Sequence, residues 1–325
     1  MNACLGVEIV KQALLREARS LVFDVAKVFW VLVKIMVPAI LIVKLLEETG
    51  STEYLAWLLS PLMSLVGLPD SMGLVWATAM LSNIYAGMVV FFSVSAAESL
   101  SVAQVTVLGT MILVAHALPI EGAVAKMAGV SWRATLLIRV GGALVLGMIL
   151  HWIYSTTGYL SEQNVLLWQP TVSDSSLSAW LVDQVFMFAY ILLIIAALMM
   201  MLRLLRWLGI ERLMHWLLAP VLKLLGIGKE ASNVTIIGMT LGLGFGGGLL
   251  IQEARSGRLS RRDVFLSMAL LALCHSVIED TLLIMLLGAD LSGILWARLV
   301  FALIVVAVMA RVMFRSERPM QAASS

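Results

Sequence analysis

Charge is what this chain has least of. Only 13% of its 325 residues are Asp, Glu, Lys or Arg, whereas 61% are hydrophobic. A soluble domain of this size has too little interior to hide so much apolar side chain. The scarcity of charge therefore excludes an ordinary soluble fold and makes a bilayer the solvent. Cysteine is nearly absent too. Cys4 and Cys274 stand far apart and outside any CxxC spacing, which excludes a disulfide framework and a cysteine zinc motif. Basic patches with interleaved aromatics are missing, and a net charge of +2 gives no reason to expect nucleic acid. The glycine-rich "GLGFGGG" (Gly242 to Gly248) lacks the GK[ST] ending of a phosphate-binding loop, so the chain shows no nucleotide motor of its own. No nucleophile–base spacing stands out, and an enzyme is not expected.

What is present is written twice. At an offset of 159, "WLLSP" (Trp57 to Pro61) falls on "WLLAP" (Trp216 to Pro220) without a gap. Gly50, Gly67, Gly87 and Gly129 fall on Gly209, Gly226, Gly246 and Gly288. His116 falls on His275, and Arg139 on Arg298. Leu and Val coincide easily in such a composition; Trp, Pro, His, Arg and four Gly do not. The expected organisation is an N-terminal amphipathic segment (1–21), repeat 1 (22–155), a polar extracytoplasmic linker (156–177), repeat 2 (178–315) and a short tail (316–325). The first segment, with Lys11, Arg16 and Arg19, reads as interfacial rather than as a removed signal.

Each repeat holds four apolar segments: 22–46, 72–94, 104–124 and 134–154 in the first, and 179–202, 231–254, 263–287 and 294–314 in the second. An amphipathic stretch, 51–67 or 210–226, follows the first segment of each and suits the interface. Residues 47–71, 95–103, 155–178 and 288–294 contain no Lys or Arg, while 203–230 and 255–262 contain nine between them. If all eight segments crossed from a cytoplasmic N-terminus, 155–178 would face the cytoplasm with no basic residue and 203–230 would face outside with five, against the positive-inside rule. If 72–94 and 231–254 instead enter and turn back, every loop obeys it, and both termini are cytoplasmic. Glycine-rich centres, "SNIYAG" (Ser82 to Gly87) and "GLGFGGG", give those turns a cause. The expectation is an all-α integral membrane protein of the bacterial inner membrane. It has two inverted repeats, each with three transmembrane helices, one re-entrant hairpin and an interfacial amphipathic helix. Such repeats with interrupted helices are marks of a secondary transporter.

The residues also resemble a known family. "LLSPLMSLVGL" (Leu58 to Leu68), a glycine-broken segment and then "HALPIE" (His116 to Glu121) are similar to the nucleoside-recognition or Gate domain. The second half repeats this more loosely with "LLAPVLKLLGI" and "HSVIE". The domain occurs in concentrative nucleoside transporters, ferrous-iron permeases and paired spore-maturation membrane proteins. The resemblance implies re-entrant hairpins beside broken helices, with substrate between the repeats. It names no ligand.

The third segment of each repeat carries acids and a histidine in an apolar setting. His275 and Glu279 are four apart and share a helical face, with Asp280 about 100° away. His116 and Glu121 are five apart, and Pro119 between them is expected to break the helix. An ionised acid at mid-bilayer costs roughly 2.5–3.5 kcal/mol, so these groups need partners or a wet cavity. The functional expectation is a site for solute and for Na⁺ or H⁺ as coupling ion, built from His116, Glu121, His275, Glu279 and Asp280. Glu279 is the leading coupling carboxylate. The competing expectation is a structural hydrogen-bonded network. Ser82, Asn83, Tyr85, Gly244 and Gly246 join the candidates as residues of the hairpin tips. Arg139 and Arg298 lie near segment ends, where snorkelling is expected and an anion anchor is the alternative. Lys34 is the deepest lysine of its segment and needs a partner. A metal is left open, since Cys274 adjoins His275. The partners expected are a small-molecule solute, the lipid bilayer and, optionally, further copies of the chain. Three functions follow: a cation-coupled transporter of a small polar or anionic solute, a non-transporting membrane scaffold, or a metal-ion permease.

Overall fold

The structure, a computed structural model, describes residues 2–49, 51–95, 98–166 and 177–313. The tail at 316–325 and residues 167–176 of the linker lie outside the described residues. The chain is all-α, with no strand among the described residues beyond one isolated bridge between Ser101 and Gln163. Among the described residues, five stretches are long and apolar enough to cross a membrane: Arg19–Ile42, Val102–Met127, Trp132–Thr157, Ser178–Leu205 and Ser292–Met313.

One element order occurs twice. The first half runs α1 (Asn2–Glu48), α2 (Ser51–Leu65), α3 (Met72–Leu81), α4 (Ile84–Ser95), α5 (Val102–Val114), α6 (Leu118–Met127), α7 (Trp132–Leu136), a π-turn (Leu137–Gly141) and α8 (Gly142–Thr157). The second runs α9 (Leu177–Trp207), α10 (Ile210–Leu224), α11 (Lys229–Leu241), α12 (Leu243–Arg255), α13 (Arg261–Leu273), α14 (Glu279–Met285), a π-turn (Ser292–Ala297) and α15 (Arg298–Met313). The repeated boundaries have repeated causes. Ser101 and Ser260 start α5 and α13, their hydroxyls accepting from the backbone N–H of Gln104 and Asp263 at 3.2 and 3.0 Å. Gly67 and Gly226 take φ of 69° and 74° just past α2 and α10, where a side chain would be strained. Leu68 and Ile227 then donate back to the carbonyls of Met63 and Leu222.

The two expected hairpins are present. On a continuous helix, residues eight apart are about 12 Å distant. Here a Cβ on Gly87 would lie 2.7 Å from the Cβ of Ala79, and one on Gly246 would lie 2.2 Å from the Cα of Gly238. So α3 folds back on α4, and α11 on α12, with small residues at each crossing. At 10 to 13 residues, none of these helices spans about 30 Å of hydrocarbon.

α1 runs unbroken from Asn2 to Glu48, so the N-terminal segment and the first apolar segment share one helix. Two expectations are corrected. Pro119 does not break the helix. The break lies before it, at Ala115–Ala117, and Pro119 sits in the first turn of α6, where a missing N–H costs no helix bond. Segment 263–287 is not one helix; it divides into α13 and α14 around Cys274–Ile278.

A large core joins the two halves, from Met63 to Ala310. A smaller one forms where α1 and α9 pack on α4 through Val25, Met36, Ile40, Ala86, Val89, Met187, Ile191 and Ile195. Outside it, Phe23, Trp30, Leu41, Phe186 and Leu193 are exposed, as a lipid-facing surface requires. Lys34 finds its partner there, its ammonium 5.4 Å from the Trp30 ring centroid. The loops without basic residues meet at one end: Val102 N–H donates to Glu162 O, Gln104 to Gly67 O, and Asn164 to Leu287 O. Two basic loops meet elsewhere, through Gly228 N–H and the Asp263 carboxylate at 2.9 Å.

Candidate functional site

The site is built where both broken helices face each other. In each, the chain leaves the helix at one residue and turns through a left-handed residue that is not glycine: Ala117 at φ 46° and Ser276 at φ 44°, positions 159 apart. Such strain persists only where surroundings hold it. Here the hairpins hold it, since Ala117 N–H donates to Ala79 O at 2.9 Å and Val277 N–H to Met239 O at 2.8 Å. Each re-entrant hairpin is thereby stitched to the break beside it.

The residue before each strained position is a histidine. His116 Nδ1 lies 3.0 Å from Ile112 O, and His275 Nδ1 lies 2.7 Å from Leu271 O. A carbonyl only accepts, so both Nδ1 atoms carry a proton, and in the neutral form each ring turns a bare Nε2 outward. These two Nε2 atoms lie 3.2 Å apart. The Oε1 of Glu121 lies 3.2 Å from each. The Oδ2 of Asp280 stands 3.9 Å from His116 and 3.8 Å from His275. All of these side chains are nearly buried.

Arg139 holds this arrangement from behind. It is fully buried and leaves the π-turn Leu137–Gly141, whose extra residue per turn redirects the side chain inward. Its Nε and Nη2 donate to Val114 O and His116 O, carbonyls freed by the break, at 3.0 and 2.9 Å. Its Nη1 pairs with the Oε2 of Glu121. Arg298 is equally buried; its Nη2 contacts Thr281 Oγ1 at 3.4 Å, and its guanidinium lies beside the Cys274 thiol. Snorkelling is therefore corrected for both arginines: neither reaches a surface.

The structure thus brings together His116, His275, Glu121, Asp280 and Arg139. It separates Glu279 from them. His275 and Glu279 do not share a helical face, because Cys274–Ile278 is not helical and Glu279 opens α14. Glu279 makes no hydrogen bond or ion pair among the described residues; it lies within electrostatic reach of Tyr85, on α4. Tyr85 lines an apolar cavity with Met88, Phe92, Met187, Ile191 and Leu286. Asn83 caps α4 by accepting from Ala86 N–H at 2.9 Å, and Ser82 ends α3. Gly246 is a packing contact, and Gly244 lies in the first turn of α12. Gly242, at the second tip, lies against Ser276, so the tip adjoins the cluster. The left-handed Ala117 and Ser276 and the carbonyl partners of Arg139 carry no residue-type signal in the sequence. The match of His116 with His275 did carry one: equivalent residues near an axis relating two repeats meet each other.

No family model matches the chain, and no solved structure matches it. A curated protein of Bacillus subtilis, described as uncharacterized membrane protein YvoD, is 30% identical over 285 residues, covering 86% of this chain and 90% of that protein. A match over that share of both chains takes in residues of both repeats. The chain is a membrane protein and belongs to the family of YvoD.

Proposed function

We propose that this protein is a secondary-active transporter of the inner membrane, and that a cation held between its two repeats takes part in the passage of a small solute. One observation carries the proposal. His116 Nε2, His275 Nε2 and Glu121 Oε1 form a triangle with 3.2 Å sides in which, with both imidazoles neutral, every corner is a hydrogen-bond acceptor. A structural network sets donors against acceptors, because unpaired lone pairs in a buried place are costly. Three acceptors facing one another are stable only around a positive charge. The neighbouring features support transport rather than scaffolding. Irregular backbone at the strained breaks is what an ion pathway inside a membrane uses, and the hairpins beside it are the parts that move in inverted-repeat transporters. The Gate-domain resemblance, with both termini placed in the cytoplasm by loop charge, points the same way.

The test is a thermal-shift screen on purified protein with amino acids, nucleosides, organic acids, and alkali and divalent cations. A ligand of the native state raises its stability, by about 2.7 kcal/mol at a hundredfold excess over Kd. At least one compound is expected to shift the wild type but not a His116→Asn/His275→Asn variant. A scaffold would respond to none.

A further inference from the structure

We propose that the cluster between the repeats is a transition-metal site, and that a dication of the zinc or manganese class is the cation it takes. The proposal rests on reading this cluster as the place where a cation binds. The ligands are Nε2 of His116, Nε2 of His275, one oxygen of Glu121 and one of Asp280.

The geometry points to a metal in three ways. First, a tetrahedral ion with bonds of about 2.0–2.1 Å needs donors roughly 3.3–3.4 Å apart. The two imidazole nitrogens and Glu121 Oε1 already stand at 3.2 Å on all three edges. Asp280 Oδ2, at 3.8 and 3.9 Å from the nitrogens, is the fourth donor and has to move toward the ion to complete the set. His116, His275 and Asp280 alone present ligand atoms all within 4.8 Å of one another. Second, the outer contacts are those of ligating groups. Each histidine gives its Nδ1–H to a backbone carbonyl, which fixes the ring and leaves Nε2 to ligate, and Glu121 keeps Arg139 on its second oxygen. Third, the donor types choose the ion. Na⁺, Mg²⁺ and Ca²⁺ prefer oxygen alone, whereas imidazole with carboxylate suits zinc, manganese and ferrous iron. A proton would need two of the four donors and would leave the others facing each other.

The position gives the site a second property. His116 and Glu121 come from repeat 1, and His275 and Asp280 from repeat 2, so a bound ion ties the halves together. Movement of one half against the other opens the coordination sphere, as release of a transported ion requires.

The test uses the full chain in detergent, stripped with a chelator and then given Zn²⁺, Mn²⁺, Co²⁺ or Mg²⁺. One Zn²⁺ per chain is expected to survive desalting, with a rise of several degrees in melting temperature and no response to Mg²⁺. Co²⁺ is expected to give the visible bands of a four-coordinate site. His275→Gln and Asp280→Asn are expected to lower Zn²⁺ affinity at least tenfold, while Cys274→Ala leaves it unchanged. His275→Gln protein with the wild-type melting temperature in chelator establishes that the loss is in binding and not in folding. If that variant is unstable, Asp280→Asn, which keeps shape, serves instead. Wild type that retains no Zn²⁺, or variants that retain it fully, overturn the proposal. A solute-dependent thermal shift that persists in chelator, in protein that retains no Zn²⁺, overturns the metal and leaves the transport reading standing.

Discussion

Arg139 and Arg298 occupy matched positions, are equally buried and differ in how much they hold. Arg139 serves two freed carbonyls and the Glu121 carboxylate, while Arg298 meets Thr281 at 3.4 Å and the Cys274 thiol, and no carboxylate pairs with it among the described residues. Removing one member of a buried ion pair costs about 3–5 kcal/mol, because the other is left charged and alone. Arg139→Gln is therefore expected to lower the melting temperature in detergent far more than Arg298→Gln. Adding Glu121→Gln to Arg139→Gln should recover part of the loss, since the stranded charge is gone; no recovery would mean that Glu121 and Arg139 are not paired. The same geometry ranks the acids. Glu121→Gln is expected to remove ligand-dependent stabilisation more completely than Glu279→Gln, because only Glu121 touches the histidines. Equal losses would return Glu279 to the centre of the site.

At the scale of elements, the hairpins depend on glycine for closeness rather than for flexibility. A side chain at Gly246 meets the backbone of Gly238, which cannot swing aside as a side chain can. Gly246→Leu is expected to destabilise by more than the about 1–3 kcal/mol of ordinary overpacking and to reduce the amount of folded protein in the membrane. Gly248, which has open space around its Cβ direction, should accept Ala with little change. The hairpins also fix sidedness. Single cysteines at Ser99 and Ser256, both exposed, in a background lacking Cys4 and Cys274, report it through an impermeant thiol reagent on intact cells. Labelling at Ser99 and protection at Ser256 are expected; the reverse pattern would invert the whole topology. The hairpins were legible in the sequence because loop charge and glycine-rich centres agreed. The site of each helix break was not. Pro119 drew attention to itself, yet the chain leaves the helix after Val114 and re-enters one at Leu118 through a left-handed alanine whose N–H donates to a hairpin carbonyl.

At the scale of the molecule, the two halves share one core, and the His116–His275 contact and the approach of Gly142 to Phe301 both join positions 159 apart. Neither half buries its inner face alone. Co-expression of 1–166 with 167–325 as separate chains is expected to give a complex that co-purifies, while either half expressed by itself is degraded. Independent accumulation of one half would show that the shared core is dispensable. By itself the sequence determined the membrane setting, the doubling, the turning back of two segments and the matched positions of both histidines. These properties are additive along the chain: hydropathy, loop charge and matched residues are each read in place. Only the tertiary structure decided that Glu121 and Asp280, rather than Glu279, approach the histidines, and that Arg139 is buried behind them. Those facts depend on breaks of a few residues, which rotate everything after them. A break is stabilised by contacts from another segment, so no local pattern in the broken helix announces where it falls.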